Sequence, residues 1–320
     1  MSLFQEIRDA SRAVAERADF VRIDHAALRN YALALPDAEM AEAKLDPSRH
    51  FLDRDADTAA FIVTLDTINF GSGCFPHLRK RPGLSGYFTV ASALNDLFRA
   101  EGPLTPSRLA HLSGAECARI FGQDPDNAIA YELMERFATA LNDLGRLLID
   151  SYRGSFTTLI ESAGNSAERL VRLLSAMPFF DDVAQFRGSR VPFYKRAQIT
   201  AADLALAFDG QGWGRFDDLG ELTIFADNLV PHVLRMDGVL RYDPDLAARI
   251  DREELIPTGS PEEVEIRAGA LHAVELMVAE LRSAGRRAAA MRIDFLLWNR
   301  GQSHAYKLAK PRHRTRTVFY

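Results

Sequence analysis

Residues 224–234 are apolar apart from Asp227, Asn228 and His232, so Asp227 is an acid set in a greasy run, Thr223-Ile224-Phe225-Ala226-Asp227-Asn228. Pro231 lies four residues further on. A helix running through this stretch would lose the bond from residue 231 to the Asp227 carbonyl; a helix starting near Pro231 would leave Asp227 and Asn228 just before its first turn. Either way the backbone breaks at Asp227. In the second geometry the helix dipole favours an ionised carboxylate, suited to nucleophilic attack or to stabilising positive charge. An Asp that caps a helix is the simpler reading of the same pattern, and both stay open at this point.

A second acid, Asp294, lies in Met291-Arg292-Ile293-Asp294-Phe295-Leu296-Leu297-Trp298-Asn299. On a helix Asp294 and Trp298 share a face, with Phe295 and Asn299 as an adjacent pair. Aromatic faces stack on a purine-like ring, and an acceptor-only carboxylate takes two N–H donors from a guanine-type edge. The competing reading is an ordinary amphipathic helix with aromatic residues in the core and Asp294 paired to a cation. A third cluster, Val191-Pro192-Phe193-Tyr194-Lys195-Arg196-Ala197-Gln198, offers Lys195 as a point charge and Arg196 as a planar fork for a phosphate. His313, Arg314 and Arg316 offer the same chemistry, and Arg79, Lys80 and Arg81 suit an RNA backbone. Charges beside an apolar stripe also form plain solvated faces.

The elements that must carry these residues are mostly helical. Helical periodicity predicts helices over 3–18, from about Asp24, and over 90–99, 107–112, 115–121, 127–152, 167–177, 192–208, 244–250, 261–283 and 288–300. Residues 56–70 read as a buried segment stopped by Gly71-Ser72-Gly73, which carries Asp66 into apolar surroundings. The stretch 78–89, with Pro82-Gly83 and Tyr87-Phe88-Thr89, predicts a short hairpin, and residues 315–320 a strand. No repeat, low-complexity tract or long linker divides the chain, so the expectation is one mainly α domain over 1–320 with a small β element.

Composition bounds the function. With 320 residues and 47% hydrophobic content the chain can bury a sizeable core. A net charge of −5 speaks against a surface that wraps a polyanion, so any nucleic-acid ligand should be small or held by a local patch. Charges interrupt every apolar run well short of the roughly 20 residues needed to cross a bilayer, and the amphipathic, acidic N-terminus is unlike a signal peptide. Cys74 and Cys117 lie far apart, which fits a reducing, cytoplasmic setting and argues against a thiolate zinc site. The eight histidines show no metal-ligand spacing, so neither a metal nor another cofactor is expected. Phosphate-loop, nucleophile-elbow and dinucleotide motifs are absent.

In six segments the chain resembles the queuosine salvage family, whose members are queuosine 5′-phosphate N-glycosylases. The segments are Leu65-Asp66-Thr67-Ile68-Asn69-Phe70, Ser85-Gly86-Tyr87-Phe88, the 191–198 cluster, Thr223 to Asp227, Glu263-Val264-Glu265-Ile266-Arg267 and Val318-Phe319-Tyr320. Each is weak alone; in this order they are specific. The resemblance implies a helical architecture similar to DNA glycosylases. It also implies hydrolysis of the bond joining queuine, a 7-deazaguanine base, to ribose 5-phosphate, with queuosine 5′-monophosphate as the small-molecule partner and no polymeric nucleic acid. Cleavage builds oxocarbenium character on the sugar, which a carboxylate at its face stabilises or attacks. By resemblance Asp227 is that catalytic carboxylate. His50, Phe225, Asp294 and Phe295 match base-contacting positions, Asn299 occupies a position that is Asp in some relatives, and Lys195 leads Arg196 as the phosphate cation. The alternatives are a glycosylase acting on bases within RNA or DNA, and a non-catalytic helical protein that binds a nucleobase.

Overall fold

The computed structural model describes residues 1–37 and 44–320. In chain order these form α1 (Leu3–Ala15), β1 (Val21–Ile23), α2 (His25–Ala34), α3 (Ala56–Thr67), α4 (Gly86–Glu101), α5 (Pro106–Leu109), α6 (Gly114–Ile120), α7 (Ala128–Tyr152), α8 (Phe156–Ser162), α9 (Ala167–Leu174), β2 (Val183–Phe186), β3 (Ser189–Pro192), α10 (Lys195–Ala207), α11 (Leu229–Met236), β4 (Leu240–Tyr242), α12 (Pro244–Asp251), α13 (Pro261–Ser283), α14 (Ala290–Gln302) and α15 (His304–Ala309). The protein is mainly helical, as its periodicity predicts. Short polar side chains set the starts: Ser2, Asp24, Asp55, Ser85, Asn127 and Ser260 each accept an N–H from the first turn of the helix that follows. Among the described residues, no helix is long and apolar enough to cross a membrane.

The described residues gather into two compact units, each drawn from three stretches that alternate along the chain. The first contains Met1–Ala43, Asp182–Lys195 and Gly220–Arg316. Its centre is α13, buried at every residue from Glu263 to Leu271, which packs against α1, α2, α11 and α14. A helix wrapped all round cannot have one polar face, so its charged residues must find partners inside. Glu265 does so by accepting the N–H groups of Asp19, Phe20 and Val21 at 3.1, 2.6 and 3.1 Å, which fastens β1 to the helix. β1 pairs antiparallel with β4, Val21 opposite Tyr242 and Ile23 opposite Leu240. β2 and β3 form a hairpin whose turn, Arg187-Gly188, has positive φ at both residues, as a tight two-residue connection requires.

The second unit contains Lys44–Asp181, Arg196–Leu219 and Thr317–Tyr320. Here α3 is the central helix, buried at every residue from Thr58 to Thr67 and packed against α4, α7 and α8. The long α7 ends at Arg153 in the left-handed conformation, with the N–H of Gly154 returning to Leu148. Gly145 lets α5 approach closely: a Cβ there would come within 2.3 Å of the Ala110 nitrogen.

Three expectations are corrected. Residues 78–89 form no hairpin; Ser85 instead caps α4, which takes in Tyr87, Phe88 and Thr89. The turn signal Pro82-Gly83 is real, but side chains take the place of a partner strand. Gln123 holds both backbone groups of Arg79, and Asn127 donates to the His77 carbonyl at 2.8 Å. Residues 315–320 form no strand either. The Tyr320 carbonyl accepts from Gly71 and Ser72, and the Val318 carbonyl from the Arg196 side chain. Finally, the helix expected from Pro192 starts at Lys195, because Pro192 belongs to β3 and Tyr194 breaks the chain with a φ of +46°.

Candidate active site

Asp227 closes the irregular stretch 222–226 and stands one residue before Asn228, the first cap position of α11. Its Oδ1 accepts the N–H of Leu229 at 2.7 Å and of Val230 at 3.1 Å. Those amides are orphan donors of a helix start, so Asp227 does cap α11. The cap uses a single oxygen. The side chain is half-buried, and among the described residues Oδ2 has no hydrogen-bond partner. Capping and chemistry are thus compatible, because two amides fix the orientation of a carboxylate whose other oxygen is open. Pro231 is the third residue of α11, where its missing N–H costs nothing.

Behind Asp227, the buried Asp294 on α14 accepts the N–H of Phe225 through Oδ1 at 2.9 Å. The rings of Phe225 and Phe295 meet edge to face, centroids 5.9 Å apart. Asp294, Phe225 and Phe295 are therefore brought together two residues upstream of Asp227. Asn299 lies further along α14 on an exposed turn. The two helices approach tightly at Gly301, where a Cβ would stand 2.5 Å from Leu229 Cδ1.

A buried ion network fixes the other side of Asp227. Arg267 of α13 forks onto Asp182, Nη1 to Oδ1 at 2.9 Å and Nη2 to Oδ2 at 2.6 Å. Its Nε donates to the carbonyl of Ala226 at 3.0 Å, next to Asp227, and Glu263 Oε1 lies 3.6 Å from Nη1. Asp182 in turn accepts the backbone N–H of Lys195 at 3.2 Å, and its carbonyl accepts those of Phe193 and Tyr194. One guanidinium and one carboxylate thereby set the backbone positions of both Asp227 and Lys195. A pair this deeply buried contributes less to net stability than to a single geometry. The left-handed Tyr194 fits that picture, since a bulky residue holds positive φ only where its surroundings enforce it. Sequence reading missed Asp182 altogether. Nothing local marks it, and Arg267 stood out only as the last residue of the segment Glu263-Val264-Glu265-Ile266-Arg267 that resembles the family.

The C-terminal segment of the first unit adds positive potential. Asn228 Nδ2 donates to the His313 carbonyl at 3.3 Å. His313 is buried beside Arg267, Arg312, Arg235 and His232, and burial followed by those cations pushes its pKa down to about 3, so the ring is neutral. Arg312 feels two opposed influences, burial lowering its pKa and the Asp227 carboxylate raising it.

Three further candidates, His50, Arg196 and the Arg79–Arg81 set, belong to the second unit. His50 is buried, with Nδ1 2.9 Å from the Asp46 carbonyl and Nε2 3.1 Å from the Tyr87 hydroxyl. A carbonyl can only accept, so Nδ1 carries the proton and Nε2 accepts from Tyr87. Burial lowers the His50 pKa and, with Asp203 and Asp66, raises that of Tyr87 well above its ordinary value. Arg196 is committed to the fold. Its guanidinium donates to the carbonyls of Asp66, Thr67, Phe179 and Val318 and stacks on Phe70 and Phe180. Those bonds take up the planar fork that a phosphate would need, which leaves Lys195 as the phosphate candidate of the pair. Of the Arg79–Arg81 set, Arg81 pairs with Asp96 at 2.7 Å.

Comparison with known proteins places this chain in a family. A protein-family model described as "Queuosine salvage protein" matches residues 49–320. A protein of Sphaerobacter thermophilus named "Queuosine 5'-phosphate N-glycosylase/hydrolase" is 41% identical over 97% of this chain and 96% of its own. Proteins with the same name from Mus musculus and Dictyostelium discoideum are 33% and 37% identical, over 98% and 82% of this chain and 98% and 78% of theirs. The chain therefore belongs to the queuosine salvage protein family.

Proposed function

We propose that this chain hydrolyses the N-glycosidic bond of queuosine 5′-phosphate, releasing queuine and ribose 5-phosphate. The observation that carries the reading is the carboxylate of Asp227, held through Oδ1 by two helix-start amides with Oδ2 open, in a chain 41% identical to a relative of that name. As the bond to the base lengthens, positive charge grows on the anomeric carbon and ring oxygen. Asp227 meets that charge, either as a stabilising anion or as the nucleophile, and water supplies the hydroxyl that completes ribose 5-phosphate while the base takes up a proton.

The base is read by the group two residues upstream. Phe225 and Phe295 present an aromatic corner to a planar ring, and Asp294 accepts from the N–H edge of a guanine-type base. Because Asp294 also holds the Phe225 N–H, its carboxylate couples base recognition to the chain that bears Asp227. His50 and Asn299 are the further candidates for base contact, and Lys195 for the phosphate.

Incubation with queuosine 5′-phosphate, queuosine and guanosine 5′-phosphate, followed by mass detection of free base, tests the reading. Queuine release from the first is expected; release from none of them would sink the proposal. Asp227→Asn should keep the fold, since Asn caps a helix nearly as well as Asp, yet lose most turnover. Near-normal turnover would remove Asp227 from the chemistry.

A further inference from the structure

The basic residues that close the first unit differ in what they touch. Lys310 Nζ reaches Asp251 Oδ2 at 2.5 Å, and Arg314 donates to the Glu253 carbonyl at 2.7 Å. Arg312, between them, is half-buried, and among the described residues its guanidinium has neither a hydrogen bond nor a carboxylate within 4.0 Å. Its place is nonetheless defined. The bond from Asn228 Nδ2 to the His313 carbonyl joins the next residue on each side, so residues 312–313 run alongside Asp227-Asn228. Asp227 is the acid whose charge Arg312 feels, from beyond ion-pair distance. Two neighbouring cations are already matched, Arg267 by Asp182 and Arg235 by Asp251 at 2.9 Å.

A half-buried guanidinium that pairs with no carboxylate keeps its forked donors for solvent or for an incoming anion. The chemistry of the site says what that anion is. A phosphate monoester brings about −1.5 to −2 charges at neutral pH, and on the reading above it must settle near a carboxylate that repels it. A planar fork set back from Asp227 supplies the countercharge and matches phosphate oxygens two at a time.

We propose that Arg312 grips the phosphate of the sugar phosphate bound over Asp227, and so sets the preference for the phosphorylated nucleotide over the nucleoside. The proposal rests on Asp227 working at the sugar, and it adds a second cation to Lys195.

The test compares kcat/KM on queuosine 5′-phosphate and on queuosine for the full chain, Arg312→Ala and Arg312→Lys. Arg312→Ala should lower kcat/KM on the phosphate form roughly ten- to hundredfold more than on the nucleoside, the range for a hydrogen bond to a charged group. Arg312→Lys, keeping the charge without the fork, should recover part of that preference, and inhibition by added ribose 5-phosphate should weaken in the same order. Equal losses on both substrates would overturn the proposal, showing that Arg312 acts through Asp227, and so would unchanged ratios in both variants. If Arg312→Ala does not fold, Arg312→Lys and ribose 5-phosphate inhibition decide alone, and unaltered inhibition overturns it. A wild-type chain that releases queuine from neither substrate defeats the reading of Asp227 instead, which keeps the two failures apart.

Discussion

Arg267 in the first unit and Arg196 in the second are both buried, 1% and 2% exposed, and both stack on phenylalanine, yet they are satisfied in opposite ways. Arg267 forks onto the carboxylate of Asp182 and reaches the carbonyl beside Asp227. Arg196 gathers the carbonyls of four residues from three separate stretches of chain. The first arrangement balances charge with charge and holds the segment that bears Asp227 in place. The second surrounds a cation with backbone dipoles and holds the fold. Buried guanidinium alone therefore does not mark a site; its partners do.

Substitution should separate the two roles. Arg267→Ala leaves Asp182 and Glu263 as buried carboxylates without their cation, a loss of about 3–5 kcal/mol. Urea melts would register it, and the residual folded enzyme should also turn over slowly because the Ala226 carbonyl loses its anchor. Arg196→Ala strands carbonyls and opens a void, at a cost of about 2–4 kcal/mol. Here specific activity per folded molecule should survive. If Arg196→Ala instead lowered activity more than stability, the contrast would collapse.

A smaller effect divides Arg196 from its sequence neighbour. Lys195→Ala should weaken the preference for the phosphorylated substrate by roughly tenfold, the scale of one charge-assisted bond. An unchanged ratio of kcat/KM values would move phosphate recognition elsewhere. The smallest effect is a pH slope in the Arg267 region. The folded pKa of His313 is about 3, below its ordinary 6.5. Between those values the unfolded chain binds a proton that the folded chain does not, so stability falls as the pH drops through that window. Melts at about pH 7 and about pH 5 should differ more for the wild type than for His313→Leu. Equal differences would mean that His313 titrates in the folded state.

Much of this was legible in local pattern. The span of α13 follows from Ser260-Pro261 and its apolar spacing, and the break at Asp227 follows from Pro231. Two stretches misled. Turn residues at 82–83 and β-formers at 315–320 carry real local preferences, but the amides of Gln123 and Asn127 and the guanidinium of Arg196 had claimed the backbone groups a strand would pair. The Val183–Phe186 and Ser189–Pro192 hairpin went unread although Arg187-Gly188 signals its turn, because four-residue strands carry little periodicity.

What the amino-acid order determined by itself is the helical character, the caps, and the places where acids and aromatics fall on one face. These depend on contacts within a few residues. The partners of the buried charges were decided only in three dimensions. Lys195 and Arg196 are adjacent in the chain, yet their roles diverge because Asp182 holds the backbone of one and four distant carbonyls surround the guanidinium of the other. Asp227 reads as a cap from its neighbours alone. That its second oxygen stays open, with Arg312 standing off at a distance, is a property of segments 85 residues apart meeting through Asn228 and His313.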